Sequence, residues 1–253
     1  MIHETAIIDP SAEIASDVEI GPYTRIGPGV TIASGCIIHA HATIHSNTSL
    51  DEGCILHSYA CIGGDPQSIA HHIDDQTYLK IGKGVTFHEF ATAHRGSLKD
   101  KGVTIIGDKC LLMSYSHVAH DCVLQDEVRV TNGATLAGHV KVGRRAIIGA
   151  FATVKQFMSI GELAMVLPYT GVRSDILPYV IVSGVLQNNV DSINIVGIKR
   201  AGFDSEQIKR IKKIYLKVFR RNLTVNEAID ALVENEDELA YAALMKASEK
   251  FVL

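Results

Sequence analysis

The 253-residue sequence contains no tryptophan, and only 6% of its residues are aromatic. A core of stacked aliphatic side chains needs few rings, whereas a β-sandwich or a propeller usually contains more aromatic mass. The hydrophobic fraction of 47% and the charged fraction of 21% exclude a disordered chain. The net charge of −4 argues against a general nucleic-acid-binding protein. These values predict a globular protein with an aliphatic core.

The sequence also lacks any apolar run near the ~20 residues that a helix needs to cross a bilayer. Its first residues show neither the basic start nor the apolar stretch of a signal peptide. The five cysteines are an odd number without C-x-x-C spacing, which argues against a zinc site and against a disulfide framework. We therefore expect a cytoplasmic protein with reduced thiols and no stable membrane insertion.

Apolar residues, most of them large aliphatics, recur at every sixth position over three stretches, 8–62, 81–93 and 106–172. A period of six fits neither a helix nor a single alternating strand, but it fits a short strand followed by a corner. Three such units close one triangular coil of 18 residues, in which each aliphatic side chain points inward. The repeat therefore predicts an all-β solenoid, a parallel β-helix.

Two polar stretches, 63–80 and 94–105, interrupt this repeat. Insertions in a solenoid leave the stack as loops, commonly on a binding face, so we expect both stretches to be loops. The repeat ends after Val172. We place the β-helix at 1–185, including both loops, and a C-terminal α-helical domain at 186–253.

The C-terminal segment carries the signals of a helix start, with Asp204 or Ser205 as the expected N-cap. Apolar residues at helical spacing form the expected buried stripe of this helix, Ile208, Ile211, Ile214, Tyr215 and Val218. Two further helices are predicted at about 224–234 and 236–251. Such a domain would cover strand edges at the open end of the β-helix.

In a coil of 18 residues, side chains 18 positions apart lie above one another, about 4.8 Å apart. One column is then predicted to hold His120, Gly138 and Gln156, and the adjacent column Asp121 and His139. An imidazole can remove a proton from an acceptor, a carboxylate can orient that imidazole, and a glycine N–H can stabilise an oxyanion. The cluster favours acyl transfer, a reaction that needs no metal and no organic cofactor.

The repeat resembles the left-handed hexapeptide β-helix of bacterial acyltransferases, and the expected handedness rests on this resemblance. The segment from about Leu112 to Val140 resembles the core of the acyl-carrier-protein-dependent UDP-N-acetylglucosamine O-acyltransferases, the family of the first step of lipid A synthesis. Other similar pieces extend over nearly the whole chain: His94-Arg95-Gly96, Gln156-Phe157, Pro178-Tyr179-Val180-Ile181 and Asn194-Ile195 through Gly202-Phe203. The resemblance implies a homotrimer with each site in a groove between two subunits, acyl carrier protein as donor and a UDP-sugar as acceptor.

The resemblance also implies roles for individual residues. His120 would be the general base, Asp121 its partner, and the Gly138 N–H the oxyanion donor. The implied contacts to the acceptor sugar, the acyl group or the nucleotide are His94, Arg95, His117, His139, Gln156, Gln67, Asn194 and Arg200. The expected reaction is transfer of a 3-hydroxyacyl group from acyl carrier protein to the 3-hydroxyl of UDP-N-acetylglucosamine.

The sequence departs from the family pattern at several acceptor-binding positions. A usual Gln-Asp-Leu-Lys run reads Gln67-Ser68-Ile69-Ala70, and Val196 and Ala201 stand where a glutamate and an arginine are usual. Pro168 replaces a glycine that leaves room for a long acyl chain, so we expect a shorter chain. These changes leave open an N-acyltransferase or N-acetyltransferase acting on an amino-sugar nucleotide. A non-catalytic hexapeptide scaffold is the third interpretation.

Nine lysines and arginines lie between Lys199 and Arg221, against the two acidic residues Asp204 and Glu206. In a chain of net charge −4 this is a strong local excess. Composition alone favours the solvated face of an amphipathic helix. The family resemblance favours a docking surface for an acidic acyl carrier protein. Binding of nucleic acid is not expected, because no base-reading motif accompanies the charge.

Overall fold

The computed structural model describes residues 1–69, 71–72 and 74–220. The helices expected at about 224–234 and 236–251 lie outside the described residues, as does Arg221. Most strands are two residues long, with one residue that faces outward and one that faces the core, as in β7 (Thr43–Ile44). Because successive side chains of a strand point to opposite faces, one aliphatic residue in each strand reaches the interior. Ile44 and Leu136 are typical of these core residues and are 1% and 0% exposed.

Within the described residues the strands form three sheets, which we call sheets I, II and III. Sheet I consists of parallel strands in the order β1 (Ile7–Ile8), β4 (Arg25–Ile26), β7 (Thr43–Ile44), β10 (Cys61–Gly64), β13 (Thr92–His94), β16 (His117–Val118), β19 (Thr135–Leu136), β22 (Thr153–Val154) and β25 (Gly171–Val172). Sheet II consists of β2 (Glu13–Ile14), β5 (Thr31–Ile32), β8 (Thr48–Leu50), β11 (Tyr78–Ile81), β14 (Val103–Ile106), β17 (Val123–Leu124), β20 (Lys141–Val142) and β23 (Ser159–Ile160).

Sheet III begins with strands related by the same repeat: β3 (Glu19–Ile20), β6 (Ile37–Ile38), β9 (Ile55–Leu56), β12 (Thr86–Phe87), β15 (Leu111–Leu112), β18 (Arg129–Val130), β21 (Ile147–Ile148) and β24 (Met165–Val166). It ends with β26 (Val180–Ser183) and β27 (Asn189–Ile193). The chain visits the three sheets in turn, so each sheet is one face of a triangular prism. The predicted parallel β-helix is confirmed.

The register of the strands follows the coil of 18 residues. Val118 pairs with Leu136, and Leu136 pairs with Val154. The corners between strands are tight, and the chain turns many of them through a residue in the left-handed backbone conformation, as at Asp121 (φ 61°) and His139 (φ 63°). This conformation costs an L-residue about 1–2 kcal/mol. Because every coil turns in the same way, equivalent corner residues of successive coils lie in one column along the prism.

The two inserted loops are shorter than the stretches 63–80 and 94–105 that the sequence predicts. The connection after β10 spans 65–77, and the connection after β13 spans 95–102. The strands extend into the predicted loops because the flanking backbone of one insertion pairs with that of the other. Tyr78 pairs with Val103, and Leu79 pairs with Thr104. These pairs satisfy backbone N–H and C=O groups that a longer loop would leave open.

The β-structure continues past residue 185, where the sequence places the start of the helical domain. β27 pairs antiparallel with β26 and thereby covers the last parallel strand of sheet III. α1 (Ile195–Arg200) and α2 (Ser205–Arg220) follow. Neither described helix combines the length and the apolar character needed to cross a membrane.

Asp204, rather than Ser205, is the N-cap of α2. The Gln207 N–H donates to Asp204 Oδ1, and the Asp204 N–H donates to Gln207 Oε1, each over 2.8 Å. This reciprocal pair is a capping box. The helix buries Ile208, Ile211 and Ile214 as predicted, whereas the side chain of Val218 lies outside the described part.

Candidate active site

His120 and Asp121 lie at the corner between sheet I and sheet II, between β16 and β17. Both residues are buried, with 8% and 5% of their surface exposed. His120 Nδ1 lies 2.8 Å from Asp121 Oδ2. Because an ionised carboxylate only accepts hydrogen bonds, Nδ1 carries the proton and Nε2 keeps its lone pair. The pair is therefore arranged to accept a proton at His120 Nε2.

The second inserted loop, 95–102, holds the Asp121 carboxylate in place. The Ser97 N–H donates to Asp121 Oδ1 over 2.8 Å, and the Ser97 hydroxyl donates to Oδ2 over 2.6 Å. The Asp121 N–H in turn donates to Thr104 Oγ1 over 2.8 Å. Ser97 and Thr104 are not among the predicted site residues, and the available signal for them was their position within a polar insertion of the repeat.

His139 lies one coil further along the same corner, in contact with Asp121. Its Nε2 is 3.7 Å from Asp121 Oδ2, and its Nδ1 is 3.1 Å from Asp100 Oδ2. The ring stacks on Phe157, with centroids 4.4 Å apart, and meets the His120 ring edge-on. The predicted adjacency of these two columns is therefore present in the structure. Asp100 is a further contact that the repeat alone did not indicate.

Gly138 lies directly under the His120 ring. A Cβ atom built on Gly138 would be 2.6 Å from His120 Cε1 and 2.8 Å from Nε2, so no larger residue fits without displacing the imidazole. Among the hydrogen bonds of the described residues, the Gly138 N–H donates to no acceptor. A backbone donor thus lies within reach of the base, which is the requirement for an oxyanion contact.

His94 and His117 extend the histidine cluster along sheet I. Their rings meet edge-on with centroids 4.9 Å apart, and His117 Nδ1 lies 2.8 Å from Thr92 Oγ1. Burial, reinforced by the imidazoles of His117 and His120, lowers the pKa of His94 to about 4. Burial also lowers the pKa of His117. His94 is therefore neutral at pH 7 and is suited to hydrogen-bond a polar substrate group.

Arg95 is buried and is 6% exposed. Its Nη1 donates to Ser46 Oγ over 2.6 Å, and its Nη2 forms an ion pair with Asp65. Asp65 opens the first inserted loop, 65–77. The guanidinium therefore ties this loop to the stack, and Arg95 would act on a substrate through the position of the loop.

The remaining predicted substrate-binding residues differ in their surroundings. Gln67 and Gln156 are exposed. Asn194 is buried and caps α1: its Oδ1 accepts from the Gly197 N–H over 3.0 Å, and its Nδ2 donates to Leu163 O over 2.8 Å. Both ends of the Asn194 amide are thus occupied within the chain.

Arg200 and Pro168 lie at the other two corners of the prism. Exposed Arg200 lines a cavity of about 340 Å³ with Lys109 and Arg145, which lie between sheet II and sheet III. Pro168 is exposed at the corner between sheet III and sheet I, above Gly149. Within one chain, the predicted base, nucleotide contact and acyl-chain contact therefore occupy three different corners.

A hexapeptide β-helix with a buried histidine–carboxylate pair at one corner defines the chain as a hexapeptide-repeat transferase. The model of the bacterial transferase hexapeptide repeats matches residues 1–34 and 104–138, and the model of UDP-N-acetylglucosamine O-acyltransferase domain 2 matches residues 175–250. The chain belongs to the family of the acyl-(acyl-carrier-protein)–UDP-N-acetylglucosamine O-acyltransferases.

The similarity extends over whole chains. The relative from Alkalilimnicola ehrlichii that carries this family name is 43% identical over 256 residues, covering 100% of this chain and 98% of its own. The relative from Herminiimonas arsenicoxydans is 42% identical, covering 96% of this chain and 92% of its own. The solved structure of LpxA from Acinetobacter baumannii matches with a TM-score of 0.92 and 35% identity, covering 98% of this chain and 95% of that one. The expected left-handed β-helix with a C-terminal helical region is thereby confirmed.

Proposed function

We propose that this protein transfers a 3-hydroxyacyl group from acyl carrier protein to the 3-hydroxyl of UDP-N-acetylglucosamine, the first step of lipid A biosynthesis. The observation that carries this proposal is the buried His120–Asp121 pair over Gly138, in a chain whose relatives bear the name of this reaction. His120, Asp121 and Gly138 are the proposed catalytic residues.

In the proposed mechanism, His120 Nε2 removes the proton of the acceptor hydroxyl as its oxygen attacks the thioester carbonyl carbon. The Gly138 N–H donates to the oxyanion of the tetrahedral intermediate. When the intermediate collapses, the carbon–sulfur bond breaks and the His120 imidazolium returns its proton to the sulfur. Asp121 stabilises the imidazolium and keeps Nδ1 protonated throughout.

The acceptor would lie beside the base, along His94, His117 and His139. The pKa of His94 is about 4, so His94 would bind sugar hydroxyl or amide groups as a neutral imidazole at pH 7. Gln156 would reach the substrate from its exposed position in the next coil. Gln67 would do so from the first loop, which Arg95 anchors.

A homotrimer is the proposed assembly, because it can bring residues from different corners of the prism into one site. His120 and Arg200 lie at different corners of one prism, on the two sides of sheet II, so a site that uses both is most simply built from two chains. In a closed ring with cyclic symmetry, one corner of a chain meets a different corner of its neighbour. Each site would then take its base from one chain and its nucleotide contact, Arg200, from the next. Asn194 would contribute by capping α1, which carries Arg200.

The basic surface of α1 and α2 is the proposed docking site for the acidic carrier protein. Lys209, Arg210, Lys212 and Lys213 are exposed on the face of α2 opposite its buried isoleucines. Only Lys209 of these four has an acidic partner among the described residues, Glu206 at 2.6 Å. Such a one-signed surface accelerates association with a partner of opposite charge. A cytoplasmic location is proposed because Cys36, Cys54, Cys110 and Cys122 are buried free thiols.

A mass-spectrometric acyl-transfer assay with the purified protein tests the function. Carrier proteins with C4–C16 3-hydroxyacyl groups, and acetyl-CoA, would be offered with UDP-N-acetylglucosamine or its 3-amino analogue. We expect an ester product made with the acyl group of the carrier protein. We expect a preference for shorter acyl chains, because Pro168 takes the space that a glycine would leave open. The product should disappear in His120→Ala and persist in His3→Ala, an exposed histidine remote from the site.

The other outcomes would contradict the proposal in distinct ways. Turnover confined to the amino sugar would identify an N-acyltransferase and would explain the altered first loop. Absence of turnover with every pair, together with intact binding of the nucleotide sugar, would identify a non-catalytic hexapeptide protein.

A further inference from the structure

Three histidines form a stack at the corner between sheet III and sheet I, away from the His120 corner. His39, His57 and His88 each directly follow a strand, β6, β9 and β12 respectively. Their ring centroids are 5.1 Å and 4.6 Å apart in sequence order, and the His57 and His88 rings are within 3° of parallel. None of these histidines is among the predicted residues of the reaction.

A carboxylate lies beside this stack. Glu89 Oε1 lies 3.8 Å from His57 Nδ1, and Glu89 Oε2 lies 3.7 Å from His88 Nδ1. The possible ligand atoms of His57, His88 and Glu89 all lie within 4.8 Å of one another. The Ser114 hydroxyl donates to Glu89 Oε2 over 3.2 Å and fixes the carboxylate beside the rings.

We propose that His57, His88 and Glu89 bind a divalent transition-metal ion of the zinc class. Imidazole nitrogens and a carboxylate are the donors that Zn²⁺, Co²⁺ and Ni²⁺ accept, and two histidines with one glutamate form a known three-ligand zinc set. A tetrahedral zinc site with bonds of about 2.1 Å separates its donor atoms by about 3.4 Å. The two imidazole–carboxylate distances therefore need to shorten by a few tenths of an ångström, and the parallel His57 and His88 rings need to turn so that both Nδ1 lone pairs point at the ion.

Exposure of the three side chains suits metal entry. The side chains of His57, His88 and Glu89 are 31%, 34% and 46% exposed. All three side chains are thus partly open to solvent, from which an ion can enter. Water completes the coordination on the open side, as in zinc sites with three protein ligands.

The proposed ion joins two coils across the first insertion. His57 precedes the loop 65–77 and His88 follows it, yet their strands pair directly, Leu56 with Phe87. The loop interrupts the chain repeat at this point, so a bound ion would add a cross-link between two coils that are distant in sequence. A metal bound to the native state alone stabilises that state in proportion to its concentration and affinity. The proposed role is therefore structural.

The test uses the metal-free full-length protein, with Zn²⁺ in isothermal titration calorimetry and Co²⁺ in visible absorption. We expect one ion per chain at this site and a melting temperature that rises with added Zn²⁺. His88→Ala and Glu89→Gln should each lower the affinity at least about tenfold, while circular dichroism shows that both variants remain folded. His41→Ala, an exposed ring in the neighbouring corner column, is the matched control and should retain binding.

His120, Asp121 and His139 form a second group with donor atoms within 4.8 Å of one another, so the titration must separate the two. Binding that survives His139→Ala but not His88→Ala supports the proposed site. Binding lost only in His139→Ala overturns it, as does unchanged affinity in His88→Ala and Glu89→Gln. Absence of saturable binding to the wild-type protein also overturns it.

Discussion

The Ser97 hydroxyl and His120 Nδ1 meet the same oxygen atom, Asp121 Oδ2, at 2.6 Å and 2.8 Å. The carboxylate that orients the base is thus itself oriented by a residue of an inserted loop. The Ser97 N–H occupies the other carboxylate oxygen over 2.8 Å. A loop outside the repeat therefore completes a site that the repeat only begins.

Replacing Ser97 with alanine should lower kcat about tenfold and leave KM for the sugar nearly unchanged. The variant loses one hydrogen bond to a buried charged group, a contact worth about 1.5–3 kcal/mol, while the N–H contact remains. Ser97→Thr keeps the hydroxyl and should restore most of the rate. Steady-state kinetics across pH provide the measurement. An equal rise in KM with unchanged kcat would contradict a positioning role for Ser97.

Gly138→Ala should lower kcat on the order of a hundredfold, because the new methyl group displaces the His120 ring from its position. The matched control is Gly53→Ala. Gly53 adopts φ +68°, and a Cβ there would contact nothing within 4 Å. The control should lower the melting temperature through left-handed backbone strain of about 1 kcal/mol and keep its kcat. Full activity in Gly138→Ala would remove this glycine from the mechanism.

Acid should destabilise the protein in part through His94. Burial, with the nearby imidazoles, lowers the pKa of His94 from 6.5 to about 4 in the folded state. Between these two values the unfolded chain binds a proton that the folded chain does not, so stability falls as pH decreases from 6.5 to 4. Urea unfolding at several pH values should show a smaller loss in this window for His94→Gln than for the wild type. His3→Gln should follow the wild type.

Reversing charge at Lys212 and Lys213 should raise KM for the acyl carrier protein. Exposed charge pairs contribute about 0.2–1 kcal/mol each, so the double glutamate variant should raise KM about threefold or more with little change in kcat. Added salt should reduce the difference between variant and wild type. The control Lys80→Glu changes an exposed lysine of sheet II and should leave KM unaltered. A KM unaffected by the double reversal would place the docking surface elsewhere.

Much of the fold follows from the sequence because one physical requirement repeats. Each coil needs an aliphatic residue at the same inward position, so the period of six indicates strands, corners and sheets together. The same arithmetic places Gly138 beneath His120 and Asp121 beside His139, since these pairs are 18 residues apart. Columns that lie within uninterrupted coils are therefore predictable to the residue.

The contacts made by the two inserted loops and by β27 cannot be predicted from the 18-residue spacing. Ser97 and Asp100 reach the site through a loop whose path depends on its own hydrogen bonds. His88 lies above His57 because the first insertion lengthens the coil between them, so the two residues are not 18 positions apart. β27 is antiparallel and pairs with β26 after the repeat has ended, so no period indicates it. These contacts depend on tertiary structure rather than on local pattern.

The three corners of the prism have a genetic consequence in the proposed trimer. A chain without His120 and a chain without Arg200 would each assemble into an inactive ring. In a ring that contains both, one neighbour supplies an intact base and the other an intact nucleotide contact, so some grooves are whole. Two defective alleles would therefore complement each other inside one cell, whereas two alleles damaged at the same corner would not.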